Sequence, residues 1–185
     1  MALALEAKGD KRGALAHYEP AVKAAGDNAE LRYGFGSLLV DVGDKAKGIV
    51  ELKAAMGGAG SNRPLLASIG RILGQAGAFA DCVAAMDRAI SLGDDAELRV
   101  RRGLCRHSLK DETGAAADFE AAVRQNPKFA PAHYYLGESL LASGDTAHAV
   151  KEFEAAAAAA PQSELGKKAH EQAEAARKGP HSPKK

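Results

Sequence analysis

The sequence contains no tryptophan, and phenylalanine and tyrosine together supply only 5% of its 185 residues. A core with so few rings must be filled by aliphatic and small side chains, which brings packed elements close together. The two cysteines, Cys82 and Cys105, are too few for a disulfide-rich secreted scaffold. They also cannot supply the four ligands of a structural zinc site by themselves.

The sequence also lacks an excess of charge of either sign and any long apolar run. Lysine and arginine number 25 against 24 acidic residues, a net charge of +1, which argues against a protein that coats a polyanion. No stretch approaches the ~18 apolar residues of a membrane helix, and Glu6 brings charge too early for a signal peptide. We expect a cytoplasmic protein as the sequence stands, and a periplasmic or lipoprotein-anchored one if a leader has been removed.

What the sequence has in quantity is alanine and glycine, and these residues recur in register. Turn-like glycines lie at Gly9, Gly43, Gly77 and Gly144, with Lys110 in the fourth place, at spacings of 34, 34, 33 and 34. Five residues after each comes a small residue: Ala14, Gly48, Cys82, Ala115, Ala149. Four residues later comes a bulky one: Tyr18, Leu52, Met86, Phe119, Phe153. A period of this length is the signature of a repeat architecture.

The register predicts that each unit is a pair of helices around a short turn. Three residues after each bulky residue comes an alanine: Ala21, Ala55, Ala89, Ala122, Ala156. The small, bulky and alanine positions thus follow one another after four and three residues, which places them on one helical face. A further glycine lies seven residues before the turn in each full repeat, at Gly36, Gly70, Gly103 and Gly137. This glycine and the small residue after the turn let the two backbones approach. One such pair cannot bury its apolar face alone, so neighbouring pairs must stack. A sheet is excluded because no useful window alternates with a period of two.

This pattern resembles the tetratricopeptide repeat. The best match is the last full unit, where Leu136-Gly137, Ala149, Phe153, Ala156 and Pro161 occupy the family's positions. The position of the family's tryptophan holds Arg32, Leu66, Arg99 and His133 instead. The resemblance implies an all-α fold, a right-handed superhelical α-solenoid with a C-terminal capping helix.

The repeat register divides the sequence into one array over residues 1–178. A partial repeat, 1–28, precedes four full ones at 29–62, 63–95, 96–129 and 130–163. A capping helix is predicted over 164–178 with Ser163 as its N-cap, and residues 179–185 are expected to be a disordered tail. Pro20 lies inside a predicted helix, so we expect it to kink or end that helix and to make the first unit irregular.

No motif points to catalysis, a cofactor or a metal. The run Gly57-Gly58-Ala59-Gly60 lacks the Lys-Ser/Thr of a phosphate-binding loop. The six histidines are scattered, with no i, i+4 pair beside a glutamate. Cys82 occupies a small-residue position and is expected to be a buried, inert thiol, although the sequence leaves open whether it pairs with Cys105. We therefore predict a non-enzymatic protein.

In tetratricopeptide arrays the first helix of each unit lines a concave groove that binds extended peptides or partner helices. The resemblance thus predicts a partner-binding groove, and projecting the first helices gives its side chains. These are Tyr33, Ser37, Arg71, Gln75, Arg101, Leu104, His107, Tyr134, Tyr135 and Glu138. Arginine and tyrosine are typical of binding hot spots. The leading interpretation is an adaptor or scaffold for a protein partner, with a context in bacterial envelope, pilus or secretion assembly. An exposed repeat end also makes a homodimer an open alternative.

Five basic side chains crowd onto one predicted helix: Arg99, Arg101, Arg102, Arg106 and His107. Such a cluster needs either internal acids, for which Glu97, Asp118 and Glu120 are candidates, or an acidic partner. Two further hypotheses follow. One is nucleic-acid or acidic-polymer binding through this patch, against which stand the balanced net charge and the lack of interleaved aromatic residues. The other is that the array is the regulatory part of a larger enzyme.

Overall fold

The computed structural model describes residue 5 and residues 7–179, so residues 180–185 of the tail expected at 179–185 lie outside this part. Ten helices have both ends within the described residues, and no strand occurs there. They are α1 (Lys11–Ala25), α2 (Ala29–Asp41), α3 (Lys45–Gly58), α4 (Arg63–Ala76), α5 (Phe79–Leu92), α6 (Ala96–Ser108), α7 (Glu112–Gln125), α8 (Ala130–Ala142), α9 (Thr146–Ala159) and α10 (Glu164–Lys178). The predicted all-α class of stacked helical pairs is confirmed.

The chain forms two compact units, one ending at Gly93 and the other beginning at Asp94. Helices α1–α5 lie in the first unit and helices α6–α10 in the second. Each predicted full repeat contains two helices, and the division between the units falls in the segment where the 34-residue spacing loses one residue.

Most helices begin at a short polar residue that caps them. The side chain of the N-cap accepts a hydrogen bond from a backbone N–H three residues later, which satisfies a donor that the helix itself leaves unpaired. The residues that do this are Asp10, Asn28, Asp44, Asn62, Asp95, Asp111, Asp145 and Ser163. The predicted cap at Ser163 is thus confirmed, and α10 has the predicted bounds.

Within each helical pair the small residues bring the two backbones together, as the register predicts. A Cβ added at Gly36 on α2 would lie 3.0 Å from the carbonyl oxygen of Gly48 on α3, and one added at Gly48 would lie 2.8 Å from that of Gly36. The bulky positions fill the space beside this contact and are at most 3% exposed: Tyr18, Leu52, Met86, Phe119 and Phe153. The close approach leaves room for little else between the two helices.

Of the two outcomes expected at Pro20, a kink or an end, the end does not occur: α1 runs from Lys11 to Ala25 with Pro20 inside it. Proline removes a backbone donor, and the carbonyl four residues earlier loses its helical partner. Both Pro20 and Ala16 are exposed, so water can satisfy that carbonyl. The buried face of α1, formed by Ala14, Tyr18 and Val22, holds the helix in place on both sides of the proline.

Lys110 occupies the turn position that other repeats give to glycine. Its φ is 67°, against 96° at Gly43, 89° at Gly77 and 90° at Gly144. A side chain in this left-handed region costs roughly 1–2 kcal/mol, of which the greater freedom of glycine in the unfolded chain offsets about half. We expect Lys110→Gly to raise the free energy of unfolding by about 0.5–1 kcal/mol in urea denaturation followed by circular dichroism. Gly144→Ala is the reverse control and should lower it by a similar amount; a destabilised Lys110→Gly would contradict the assignment of strain.

Candidate interaction surface

The buried carboxylate of Asp118, on α7, gathers three arginines of α6. Arg102 donates from Nε and Nη2 to the two oxygens of Asp118, at 2.9 and 2.5 Å. Arg106 donates from Nη1 at 2.9 Å, and Arg99 from Nη1 at 3.3 Å. Asp118 is only 1% exposed. We call these four residues the Asp118 cluster.

Two further acids balance the charge of the Asp118 cluster. Asp94 lies 2.6 Å from Nη2 of Arg99, and Asp111 lies 3.8 Å from Nε of Arg106. Hydrogen bonding to Arg99 lowers the pKa of the Asp94 carboxyl below its usual range. This contribution to stability is therefore present at neutral pH and lost as the pH falls through the lowered pKa. Three guanidinium groups face three carboxylates, so the cluster needs no acidic ligand to offset its self-repulsion.

The remaining basic side chains of α6 point to the surface. Arg101 pairs with Glu97 one turn earlier at 2.6 Å, and His107 lies 2.7 Å from a carboxylate oxygen of Glu112. Of the three acids expected to pair with the patch, Asp118 and Glu97 do so. Glu120 instead lies 3.5 Å from Arg124 on its own helix.

The candidates on α8 differ sharply in exposure. Tyr134 is 1% exposed, its hydroxyl donates to Glu138 at 2.7 Å, and the ammonium of Lys168 on α10 lies 5.0 Å from its ring centre. Burial raises the pKa of the Tyr134 phenol. The prediction that Tyr134 lies on an open groove is thus wrong. Tyr134 and Tyr135 were both assigned to the groove, but adjacent residues of a helix point about 100° apart and do not share one face. Tyr135 is half-buried and stacks on Phe119, with ring centres 5.7 Å apart.

The other candidates lie on the first helices of their repeats. Leu104 of α6 is half-buried and packs against the core of its unit. In the first unit, Tyr33 and Ser37 on α2 are half-buried. Arg71 on α4 is also half-buried and donates to the exposed Gln75 at 3.4 Å. The structure brings together Arg101, Leu104 and His107 within one unit and Arg71 and Gln75 within the other.

Sequence reasoning missed what replaces the family's tryptophan. Three of the four residues in that position reach an acid 19 residues further on, across the helical pair: Arg32 to Glu51 at 2.6 Å, Arg99 to Asp118 at 3.3 Å, and His133 to Glu152 at 2.6 Å. In the remaining repeat both positions are apolar and buried, as Leu66 and Ala85. The shared spacing of a basic residue and an acid was present in the sequence and could have revealed these pairs.

His133 shows how tightly this position is built. It is 7% exposed, its Nδ1 faces Glu152 and its Nε2 lies 3.0 Å from the carbonyl oxygen of Pro127. Both ring nitrogens therefore face hydrogen-bond acceptors, which fixes the ring between α8, α9 and the preceding loop. The side chain joins elements of the repeat and is not presented to a partner.

The two cysteines are buried, Cys82 at 1% and Cys105 at 6% exposure. The expected burial of Cys82 is thus confirmed. Neither cysteine is a free thiol, so the expectation that Cys82 carries an inert thiol is wrong. Among the described residues no group of three histidine, cysteine or acidic side chains could hold a metal ion. No helix of that part of the chain is long and apolar enough to cross a membrane.

Paired helices with a small-residue contact, repeated at 33–34 residues, define a helical-repeat protein. The sequence profile described as tetratricopeptide repeat matches residues 1–62, 68–128 and 111–164. The chain belongs to the tetratricopeptide repeat family. Membership of this family supports a role as a protein–protein interaction scaffold. No curated protein is similar enough in sequence to count as a match.

Several solved structures share the fold. A crystal structure of MamA has a TM-score of 0.76 and 23% identity, covering 88% of this chain and 95% of that one. MamA from Desulfovibrio magneticus RS-1, residue 41 to the end, has a TM-score of 0.74 and 15% identity, covering 88% and 93%. YrrB, described as a tetratricopeptide repeat protein with an unusual peptide-binding site, has a TM-score of 0.73 and 23% identity, covering 92% and 88%. At these identities the likeness concerns the fold.

Proposed function

We propose that this protein is a non-catalytic adaptor that binds a peptide or helix of a protein partner on the first helices of its repeats. In the second unit the binding surface consists of Arg101, Leu104 and His107 on α6 with Tyr135 and Glu138 on α8. In the first unit it consists of Tyr33, Ser37, Arg71 and Gln75. The observation that carries the proposal is the division of the basic side chains of α6: three turn inward to Asp118, while Arg101 and His107 face solvent.

The outward side chains are free to exchange partners at low cost. The Arg101–Glu97 pair is an i, i+4 surface pair, worth about 0.3–0.5 kcal/mol. A carboxylate of a partner that engages both guanidinium edges of Arg101 would form a stronger, bidentate contact. Leu104 on the same helix and Tyr135 on α8 pack against one core cluster and offer partly exposed apolar area. This combination fits a partner segment that carries an acidic side chain next to an apolar one. That YrrB, which shares the fold, is described as having a peptide-binding site supports a peptide as the partner.

The biological context is a further part of the proposal. An amino-acid composition rich in alanine, glycine and arginine is typical of proteins encoded by GC-rich bacterial genomes. We therefore propose a role in assembly of an envelope, pilus or secretion complex, on the cytoplasmic or the periplasmic side. A second copy of this chain, bound through an exposed repeat end, is the alternative partner. Light scattering at two protein concentrations distinguishes the two: a mass that rises toward twice the monomer value would favour the homodimer.

The test is partner capture followed by a matched pair of variants. Proteins retained by the immobilised chain from a lysate of its source organism are identified by mass spectrometry, and the purified partner is titrated by calorimetry. We expect Arg101→Glu to weaken binding by about tenfold or more, as for a hot-spot arginine. Lys151→Glu, an exposed charge reversal on α9, should leave it within about twofold.

Equal affinities for wild type and Arg101→Glu would overturn the assigned surface. A retained fraction that consists of nucleic acid and is lost after nuclease treatment would favour the polyanion-binding hypothesis instead. Circular dichroism of each variant verifies that the helices remain formed.

A further inference from the structure

Two surface grooves recur at the same register of the repeat, one in each unit. In the first groove, Leu15, Ala16 and Glu19 of α1 form a wall over Phe35 and Leu39 of α2. In the second groove, the residues numbered 101 higher do the same: Ala116, Ala117 and Glu120 of α7 over Leu136 and Leu140 of α8. Their volumes are about 500 and 510 Å³. Each lies between the second helix of one repeat and the first helix of the next, and the first groove extends further to Lys47, Val50 and Glu51 of α3.

The grooves differ at one end. In the first unit Lys11 of α1 and Asp41 of α2 form an ion pair at 2.6 Å. The equivalent positions in the second unit are Glu112 and Ala142, both of which line the second groove. An ion pair between the two helices is thereby replaced by an acid beside a methyl group. This end of the second groove has no such link between its walls.

The charges lining the two grooves also differ. Lysines contribute to the first groove through Lys23 and Lys47, each paired with an acid of the same helix or its N-cap. The charged residues that line the second groove are Glu112 and Glu120, and the rest of its lining is aliphatic or carries a hydroxyl. The second groove therefore combines an apolar floor with a negative rim.

The acids on this rim can accept a new partner. Glu112 contacts the exposed His107, and Glu120 lies 3.5 Å from the exposed Arg124. All four side chains are more than half exposed, and such surface pairs contribute under about 1 kcal/mol. A lysine or arginine of a docked segment, placed above its apolar anchor, would lie in a less solvated position than His107 or Arg124. Its attraction to the two glutamates would therefore be screened less.

We infer that the second groove is a docking site for a protein segment in which an aliphatic side chain is flanked by lysine or arginine. The aliphatic side chain occupies the floor over Leu136 and Leu140, and the flanking cations lie against Glu112 and Glu120. The volume of the second groove is within the range that buries small ligands and side-chain anchors. Charge complementarity selects this occupant over an acidic segment. The site touches the surface of Arg101 through the His107–Glu112 contact, but its lining does not include Arg101 and it does not depend on the function proposed for that residue.

The probes are two N-acetylated, C-amidated tetrapeptides, Leu-Lys-Leu-Lys and Leu-Glu-Leu-Glu, titrated into the ¹⁵N-labelled full chain. We expect Leu-Lys-Leu-Lys to shift the backbone resonances of Ala116, Ala117, Ser139 and Ser143 in a saturable way. Leu-Glu-Leu-Glu should bind at least about fivefold more weakly. Equal shifts with both probes, no saturable shift, or a larger response at Ala16 and Glu19 would overturn the assignment.

Variants locate the effect in the second groove. Ala117→Trp, which fills it, should reduce binding of Leu-Lys-Leu-Lys at least about tenfold, whereas Ala16→Trp at the equivalent place in the first groove should not. The double variant Glu112→Lys/Ala142→Asp rebuilds the ion pair of the first unit and should also abolish binding.

Glu120→Gln, an exposed and conservative change, keeps the test valid if either larger variant fails to fold. It should weaken binding at least about threefold, and unchanged binding would overturn the proposal. Arg101→Glu should leave this titration unchanged, which separates a failure here from a failure of the proposed function.

Discussion

Replacing Asp118 by asparagine is expected to lower the free energy of unfolding by about 3–5 kcal/mol. The substitution keeps the shape of the side chain and removes its charge, so Arg99, Arg102 and Arg106 lose their shared, almost fully buried carboxylate. One of its two acceptor oxygens is replaced by an NH2 group, which donates and cannot accept from a guanidinium. A broken buried ion pair costs more than the pair contributes, because the remaining charges stay poorly solvated. Urea denaturation followed by circular dichroism gives the change.

Glu120→Gln is the matched control for this prediction. It removes the same charge two residues away on α7, where the carboxylate is about half exposed and lies 3.5 Å from Arg124. We expect a change below about 0.5 kcal/mol. If Asp118→Asn were as mild as Glu120→Gln, the Asp118 cluster would not hold α6 and α7 together, and its arginines would again be candidates for an acidic ligand.

Alanine at Gly48 should lower the free energy of unfolding by about 1–3 kcal/mol although alanine favours helices. The new Cβ would lie 2.8 Å from the carbonyl oxygen of Gly36 and 2.6 Å from a methyl carbon of Val40. The contact with Gly36 is to backbone, which can move only if α2 and α3 separate. Separation would loosen the packing around Leu52, which is fully buried between them. Thermal denaturation of the full chain measures the loss.

Gly57, on the same helix α3, provides the opposite expectation. A Cβ added there meets no atom within 4 Å. Gly57→Ala should therefore raise the free energy of unfolding by about 0.5–1 kcal/mol through helix propensity alone. The same sign of change for both variants would show that close backbone approach is not what the small position of the repeat requires.

The positions of the helices were predictable because the repeat register fixes three things at once. It places the turn, the small residue that allows close approach, and the bulky residue that fills the space, as Gly43, Gly48 and Leu52 illustrate. Where one repeat departs from the pattern, the register of the other repeats still gives the positions of its helices. Pro20 does not end α1 because it is a purely local signal, whereas the packing of Tyr18 and Val22 on either side of it is a tertiary one.

The candidate surface was harder to predict than the fold. Position along α6 does indicate which arginines turn inward, because Arg99, Arg102 and Arg106 follow at i, i+3 and i+7 and share a face that Arg101 does not. Their common acceptor lies on the next helix, so only the packing of α6 on α7 shows that one carboxylate serves all three. Likewise, the burial of Tyr134 depends on Lys168 and the rest of α10, which cover it from outside its own repeat.

The central claim is that α6 turns three arginines into the protein and leaves Arg101 for a partner. Labelling of the native protein by phenylglyoxal, with mass spectrometry of the modified arginines, tests it most directly. The side chain of Arg101 is 35% exposed and that of Arg102 is 12% exposed, with Arg124 at 69% as an internal reference. The account predicts that Arg124 and Arg101 are modified well before Arg102. Modification of Arg102 as rapid as that of Arg101 would contradict it, because the Asp118 cluster would then be open to solvent.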